Sequence, residues 1–111
     1  MYTLLRRSFP ALALAATVLT AGGAAQAETD PSFYITNNGR VTIQEVYVSS
    51  ARRDDWGRDR LGENVLSAGR RVMIRLPDGQ CVNDIKVVFD NGRETERRNQ
   101  NTCNITEMSF P

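Results

Sequence analysis

Residues 81–103 read CVNDIKVVFDNGRETERRNQNTC and hold the only two cysteines of the 111-residue chain. Residues 81–89 are rich in β-branched and aromatic side chains, which suit a pleated surface. Positions 81, 83, 85, 87 and 89 carry Cys, Asn, Ile, Val and Phe, so one face is mostly apolar. The other face carries Val82, Asp84, Lys86 and Val88 and is mixed. This period of two marks a half-buried strand. Asp90-Asn91-Gly92-Arg93 follows. Asn-Gly favours a type I′ turn, whose central residues both need φ > 0, so the chain is expected to fold straight back. Residues 94–100 are wholly polar and read as a solvated return strand or a loop. As a strand they suit an edge, where charge blocks pairing with another molecule.

The return path brings Cys103 towards Cys81. A disulfide needs the two Cα atoms within roughly 7 Å. Closing a loop of this length stabilises a fold by about 3 kcal/mol in the chain-entropy description. The alternatives are two buried free thiols or a metal site. Two cysteines in a chain without histidine make a poor zinc set. The bridge is preferred because the chain begins with what reads as an export signal.

Residues 1–27 carry that signal. Arg6 and Arg7 form a positive start, residues 9–25 are apolar and alanine-rich, and Ala25-Gln26-Ala27 is a cleavage site that leaves Glu28 first. Arg6-Arg7-Ser8-Phe9 resembles a twin-arginine signal, and Sec export is the other route. Cleavage leaves 84 residues, one small domain. With Arg6 and Arg7 removed, 12 basic residues face 13 acidic ones. That balance argues against nucleic acid or an anionic membrane as partner. No remaining run is long enough to span a bilayer. So small a core barely offsets the entropy of ordering the chain, and a cross-link answers that need.

Further strands are bounded by turn residues. Residues 33–36 read as the first, and Asn37-Asn38-Gly39-Arg40 as a hairpin turn like Asn91-Gly92. In residues 41–50 the apolar phase changes between Val41/Ile43 and Val46/Val48. A β-bulge near Gln44-Glu45 or burial on both faces would reconcile them. After a turn at Ser67-Ala68-Gly69-Arg70, residues 71–76 place Val72, Ile74 and Leu76 on one face. Pro77-Asp78-Gly79 turns the chain into the Cys81 strand. Residues 103–110 close it, with Ile105, Met108 and Phe110 apolar. The expectation is an all-β domain over residues 28–111. It would be a small antiparallel β-sandwich or barrel of about six strands, preceded by a cleaved signal helix.

Residues 51–62, ARRDDWGRDRLG, are the most unusual segment. Arg52, Arg53, Asp54, Asp55, Arg58, Asp59 and Arg60 surround the only tryptophan. The segment reads as a loop or one helical turn, with Trp56 and Leu61 as apolar anchors. Val48-Ser49-Ser50 leading to Trp56-Gly57-Arg58-Asp59-Arg60-Leu61-Gly62, the glycine turn at Gly69, Cys81-Val82-Asn83-Asp84-Ile85, Asp90-Asn91-Gly92 and Cys103 come in a familiar order. The order resembles small exported proteobacterial proteins labelled as Tat-pathway signal proteins, with a W-G-x-D-x-L-G segment and a C-x-x-D-[IL] strand. The resemblance covers about residues 33–110, bears on fold, and brings no catalytic residues with it.

Candidate chemistry is sparse. Asp54, Asp55, Asp59 and Glu63 could collect around calcium, which takes several oxygen ligands. The interleaved arginines favour a surface ion-pair network instead, and such pairs stabilise little individually. Trp56 with Arg52, Arg53, Arg58 and Arg60 is a candidate binding loop, because Trp and Arg dominate binding hot spots. The structural alternative, preferred here, makes Trp56 a cap on the core. Asp84 is expected to accept the loop's amides or to pair with an arginine such as Arg58, because buried carboxylates are paired. Catalysis lacks support: there is no histidine base, the cysteines are expected to be oxidised, and Lys86 is the only lysine. The sequence therefore reads as a periplasmic or secreted, monomeric, non-enzymatic domain without cofactor. It would bind or support an unknown protein or small ligand in the cell envelope. Inhibition of an envelope or foreign hydrolase and a calcium-dependent binding module are the alternatives.

Overall fold

The computed structural model describes residues 29–111. The expected signal peptide at residues 1–27 lies outside the described residues. Six strands follow: β1 (Phe33–Asn37), β2 (Ile43–Ser50), β3 (Arg71–Ile74), β4 (Val82–Phe89), β5 (Glu94–Asn101) and β6 (Glu107–Phe110). They form two three-stranded sheets, ordered β3-β1-β6 and β2-β4-β5. The all-β sandwich is thus the observed architecture. Alternation places Phe33 and Ile35 of β1, Val46 and Val48 of β2, Ile85 and Val87 of β4 and Phe110 of β6 in one core.

The β4 strand bears out the period-two reading of residues 81–89, and the polar residues after the turn form the return strand β5 rather than a loop. Lys86 pairs with Glu96 and Val88 with Glu94, and β5 is a polar edge strand. Its turn is a three-residue loop rather than type I′. Gly92 takes φ 88° while Asn91 stays out of the left-handed region. Gly92 N donates to Phe89 O and Phe89 N to Arg93 O, the pattern of a turn followed by a glycine bulge. The bulge expected near Gln44-Glu45 is present: the β2–β4 register shifts between Ile43 and Glu45.

Two connections differ from expectation. Asn37-Asn38-Gly39-Arg40 is not a hairpin turn, because β1 and β2 belong to different sheets. It is a corner between layers, organised by the buried Asn37 side chain. Its Nδ2 donates to Val41 O and Leu66 O, and its Oδ1 accepts from Gly39 N. The sheets are also not wholly antiparallel, since β6 runs parallel to β1. The cause is a crossover: the chain leaves β5 through a 3-10 turn at Thr102–Asn104 and starts β6 at the end where β1 starts.

Cys81 and Cys103 are bridged across 22 residues, with Cα atoms 5.1 Å apart. The bridge joins the start of β4 to the crossover, where Asn83 Nδ2 donates to Gln80 O and Thr102 Oγ1. A structural disulfide of this kind belongs to an oxidising, extracytoplasmic compartment. Among the described residues, no helix is long and apolar enough to cross a membrane. Replacing both cysteines by serine is expected to lower stability by about 3 kcal/mol. Urea unfolding checks this, and an unchanged midpoint would show that the bridge does not hold the crossover.

Arginines on opposite flanks tie the layers together. Arg60, in the loop after β2, donates from Nη2 to Val48 O of β2 and from Nη1 to Arg75 O beyond β3. Arg97 of β5 donates to Ser109 O of β6 and to Pro111 O, and stacks 4.1 Å from the Phe110 ring centroid. Each guanidinium satisfies carbonyls that edge strands would otherwise turn to water.

Candidate functional site

The unusual loop is built on one carboxylate. The bulge in β2 leaves Val46 N without a ladder partner at the free edge of the sheet. Asp59 Oδ1 accepts from Val46 N at 2.9 Å and from Leu61 N at 3.0 Å. Arg60 N donates to Val46 O. Leu61 is thereby driven into the core, as expected of an anchor. No helical turn forms across residues 54–61.

The same geometry separates the calcium candidates. Asp59 is engaged by backbone amides, and Asp55 pairs with Arg53 at 3.3 Å on the surface. Asp54 and Glu63 are exposed. Among the described residues, no three His, Cys, Asp or Glu side chains are grouped to hold a metal ion.

Trp56 is not a core cap. It is half-buried and stands outside the hydrophobic cluster. The loop lays it over the outer face of β2-β4-β5, with its ring 4.7 Å from Arg98 Cζ and 5.1 Å from Lys86 Nζ. Lys86 is also 5.1 Å from the Tyr47 ring and stands between the two aromatics. Tyr47 and Lys86 are cross-strand partners, and Lys86 faces Glu96 on the other side. The result is a cationic and aromatic strip across the three strands, rimmed by Glu45 and Glu96.

Asp84 supports this strip from below. It is paired with an arginine, but the arginine is Arg98 rather than Arg58. Arg98 Nη1 lies 3.3 Å from Asp84 Oδ2, and the Asp84 side chain is 7% exposed against 55% for Arg98. Asp84 Oδ1 also accepts from Asn99 N, holding Asn99 at φ 55° where β5 bulges. Asparagine tolerates that conformation better than most residues. Arg98 is further tied to Glu96 at 3.0 Å, so its guanidinium is held against the indole from two sides.

Of the proposed loop arginines, Arg52, Arg53 and Arg58 are exposed, whereas Arg60 is committed to the sheet edge. Burial, and then the like charge of Arg58, lower the Arg60 pKa from its usual value. The sequence reading missed Arg98, Lys86 and Tyr47 as companions of Trp56. The Lys86–Glu96 pairing can be counted outward from the Asp90-Asn91-Gly92 turn. The Trp56–Arg98 contact joins segments with no such countable link.

Comparison with family profiles, with curated proteins and with solved structures finds no match to this chain.

Asp59→Ala is expected to cost about 2 kcal/mol, because two amides lose a charged acceptor. Asp59→Asn, which keeps a carbonyl oxygen, should cost less. Thermal unfolding and hydrogen exchange at Val46 and Leu61 read both. Tyr47 donates to Glu45 Oε1 at 2.7 Å, and this bond, with burial and the Glu45 charge, pushes its pKa up to about 12. A raised folded value means its contribution to stability is complete below about pH 10, the unfolded value, and is lost as pH rises through about 12. Ultraviolet titration of the phenolate should show this late step, and Glu45→Gln should bring it down towards 10.

Proposed function

We propose that the protein is a non-enzymatic, exported binding module of the cell envelope, periplasmic or secreted, and that the Trp56 strip is its contact surface. One observation carries the reading. The single tryptophan lies partly exposed on a polar sheet face, against Arg98 and Lys86, instead of filling the core. Tryptophan, tyrosine and arginine are the residues that dominate binding hot spots, and here the fold sets all three side by side. Asp84 and Glu96 hold Arg98 in place before any partner arrives, which lowers the ordering cost of binding. The rim carboxylates Glu45 and Glu96 favour a partner that meets cations at its centre and donors at its edge. A protein surface with an acidic centre fits this pattern.

Two measurements test the proposal. Iodide, drawn by Lys86 and Arg98, should quench Trp56 fluorescence more strongly than caesium does. The immobilised protein should retain one partner from periplasmic extract, and that purified partner should bind Trp56→Ala at least tenfold more weakly. The variant should melt within about 1 kcal/mol of the parent, since Trp56 is outside the core. Equal binding by parent and variant, or a variant that chiefly unfolds, would remove the strip as a contact surface. A retained hydrolase whose activity falls on binding would specify the module as an inhibitor.

A further inference from the structure

We infer that the free edge of β3 is a strand-addition site for an extended, acidic peptide segment of a partner protein. The site is separate from the Trp56 strip. β3 is the outer strand of its sheet. Asn37 N donates to Arg70 O, which fixes the alternation: the carbonyls of 70, 72 and 74 turn to β1. The backbone groups of Arg71 and Met73 therefore turn outward. Among the described residues, no hydrogen bond to them is found. Arg75 O, the next outward carbonyl, is taken by Arg60. The open length thus runs from Arg71 to Met73.

Two clefts flank this edge from end to end. One, of about 400 Å3, is lined by Arg60, Arg70 and Arg71 with Leu61, Val65 and Leu66. The other, of about 190 Å3, is lined by Arg58, Arg60, Met73, Ile74 and Arg75. Five arginines border the edge and no carboxylate lines either cleft. Arg71 is held by the Tyr34 ring, 3.8 Å from its centroid. Arg58, Arg70 and Arg75 have no carboxylate partner among the described residues. The whole chain is nearly neutral, so this concentration of positive charge is local.

Positive side chains on an edge strand repel a second copy of the same strand. They attract an acidic one, and guanidinium groups match carboxylates in a bidentate manner. Strand addition supplies main-chain hydrogen bonds for affinity, while alternate side chains supply selectivity. The exposed Val65, beside the buried Leu61 and Leu66 at the cleft floor, would take an alternate apolar side chain of such a segment.

The test uses the purified protein and a ten-residue peptide of alternating Glu and Val, with an alternating Lys and Val peptide as control. The acidic peptide should bind and slow amide exchange at Arg71 and Met73 at least tenfold, while Val72 and Ile74 stay as they were. Binding should weaken at least tenfold in an Arg70→Glu, Arg75→Glu double variant, whose changes are both at exposed positions. Met73→Pro, which removes one outward amide, should abolish it. The charge variant carries the test independently should proline disturb β3. Trp56→Ala should leave peptide binding unchanged, so failure here is distinguishable from failure of the Trp56 strip. Four results would overturn the inference: equal binding of the basic peptide; acidic-peptide binding without protection of Arg71 and Met73; binding of a sulfated oligosaccharide but not of the peptide; or protection that rises with protein concentration alone, which would make a second copy the occupant.

Discussion

The arrangement of the Trp56 loop rests on Asp59 Oδ1, a single oxygen that accepts two backbone amides. Without an acceptor there, the β2 bulge would leave Val46 N unpaired at a sheet edge, and unpaired polar groups are costly when shielded from water. Once Asp59 occupies that position, its neighbours have little freedom. Leu61 points into the core and Arg60 points across the flank. The stretch before them, which carries Trp56, is thrown back over the outer face of the sheet. A residue that reads as a metal ligand is in effect a cap on a β-bulge.

The small core explains why polar contacts take so large a part in joining the layers. Each sheet has three strands, so both flanks of the sandwich are open edges. Arg60 closes one flank and Arg97 the other, each by donating to carbonyls of both layers or of the opposite one. Asn37 and Asn83 do the same work at the ends, where the chain passes between sheets and backbone groups lose their ladder partners. The flank that Arg60 closes is closed only at Arg75. The rest of the β3 edge is left with its backbone groups facing outward and arginines around them.

Much of the fold was legible in residue order. Turn residues bounded β1, local alternation located β3 and β4, the phase change between Ile43 and Val46 located the bulge, and the glycine turn at Gly92 located the β4–β5 pair. These signals concern neighbours within about ten residues, where backbone geometry and burial act together. The Asn37-Asn38-Gly39 turn misled for a physical reason. Asparagine and glycine announce a change of direction, but they do not say whether the next strand joins the same sheet or the opposite one. The parallel β1–β6 pair was hidden likewise, because it depends on where a crossover lands.

The candidate site divides along the same line. From its sequence alone, the protein was determined to be a small all-β domain. Its cysteines flank a hairpin, its tryptophan sits in a charged loop, and one carboxylate stands within a strand, because periodicity and turn chemistry are local properties. Tertiary structure alone decided which arginine meets Asp84, which way Trp56 faces, and that Lys86 stands between two aromatic rings. Those choices depend on the stacking of segments distant in sequence, and on which backbone groups the stacking leaves to be satisfied.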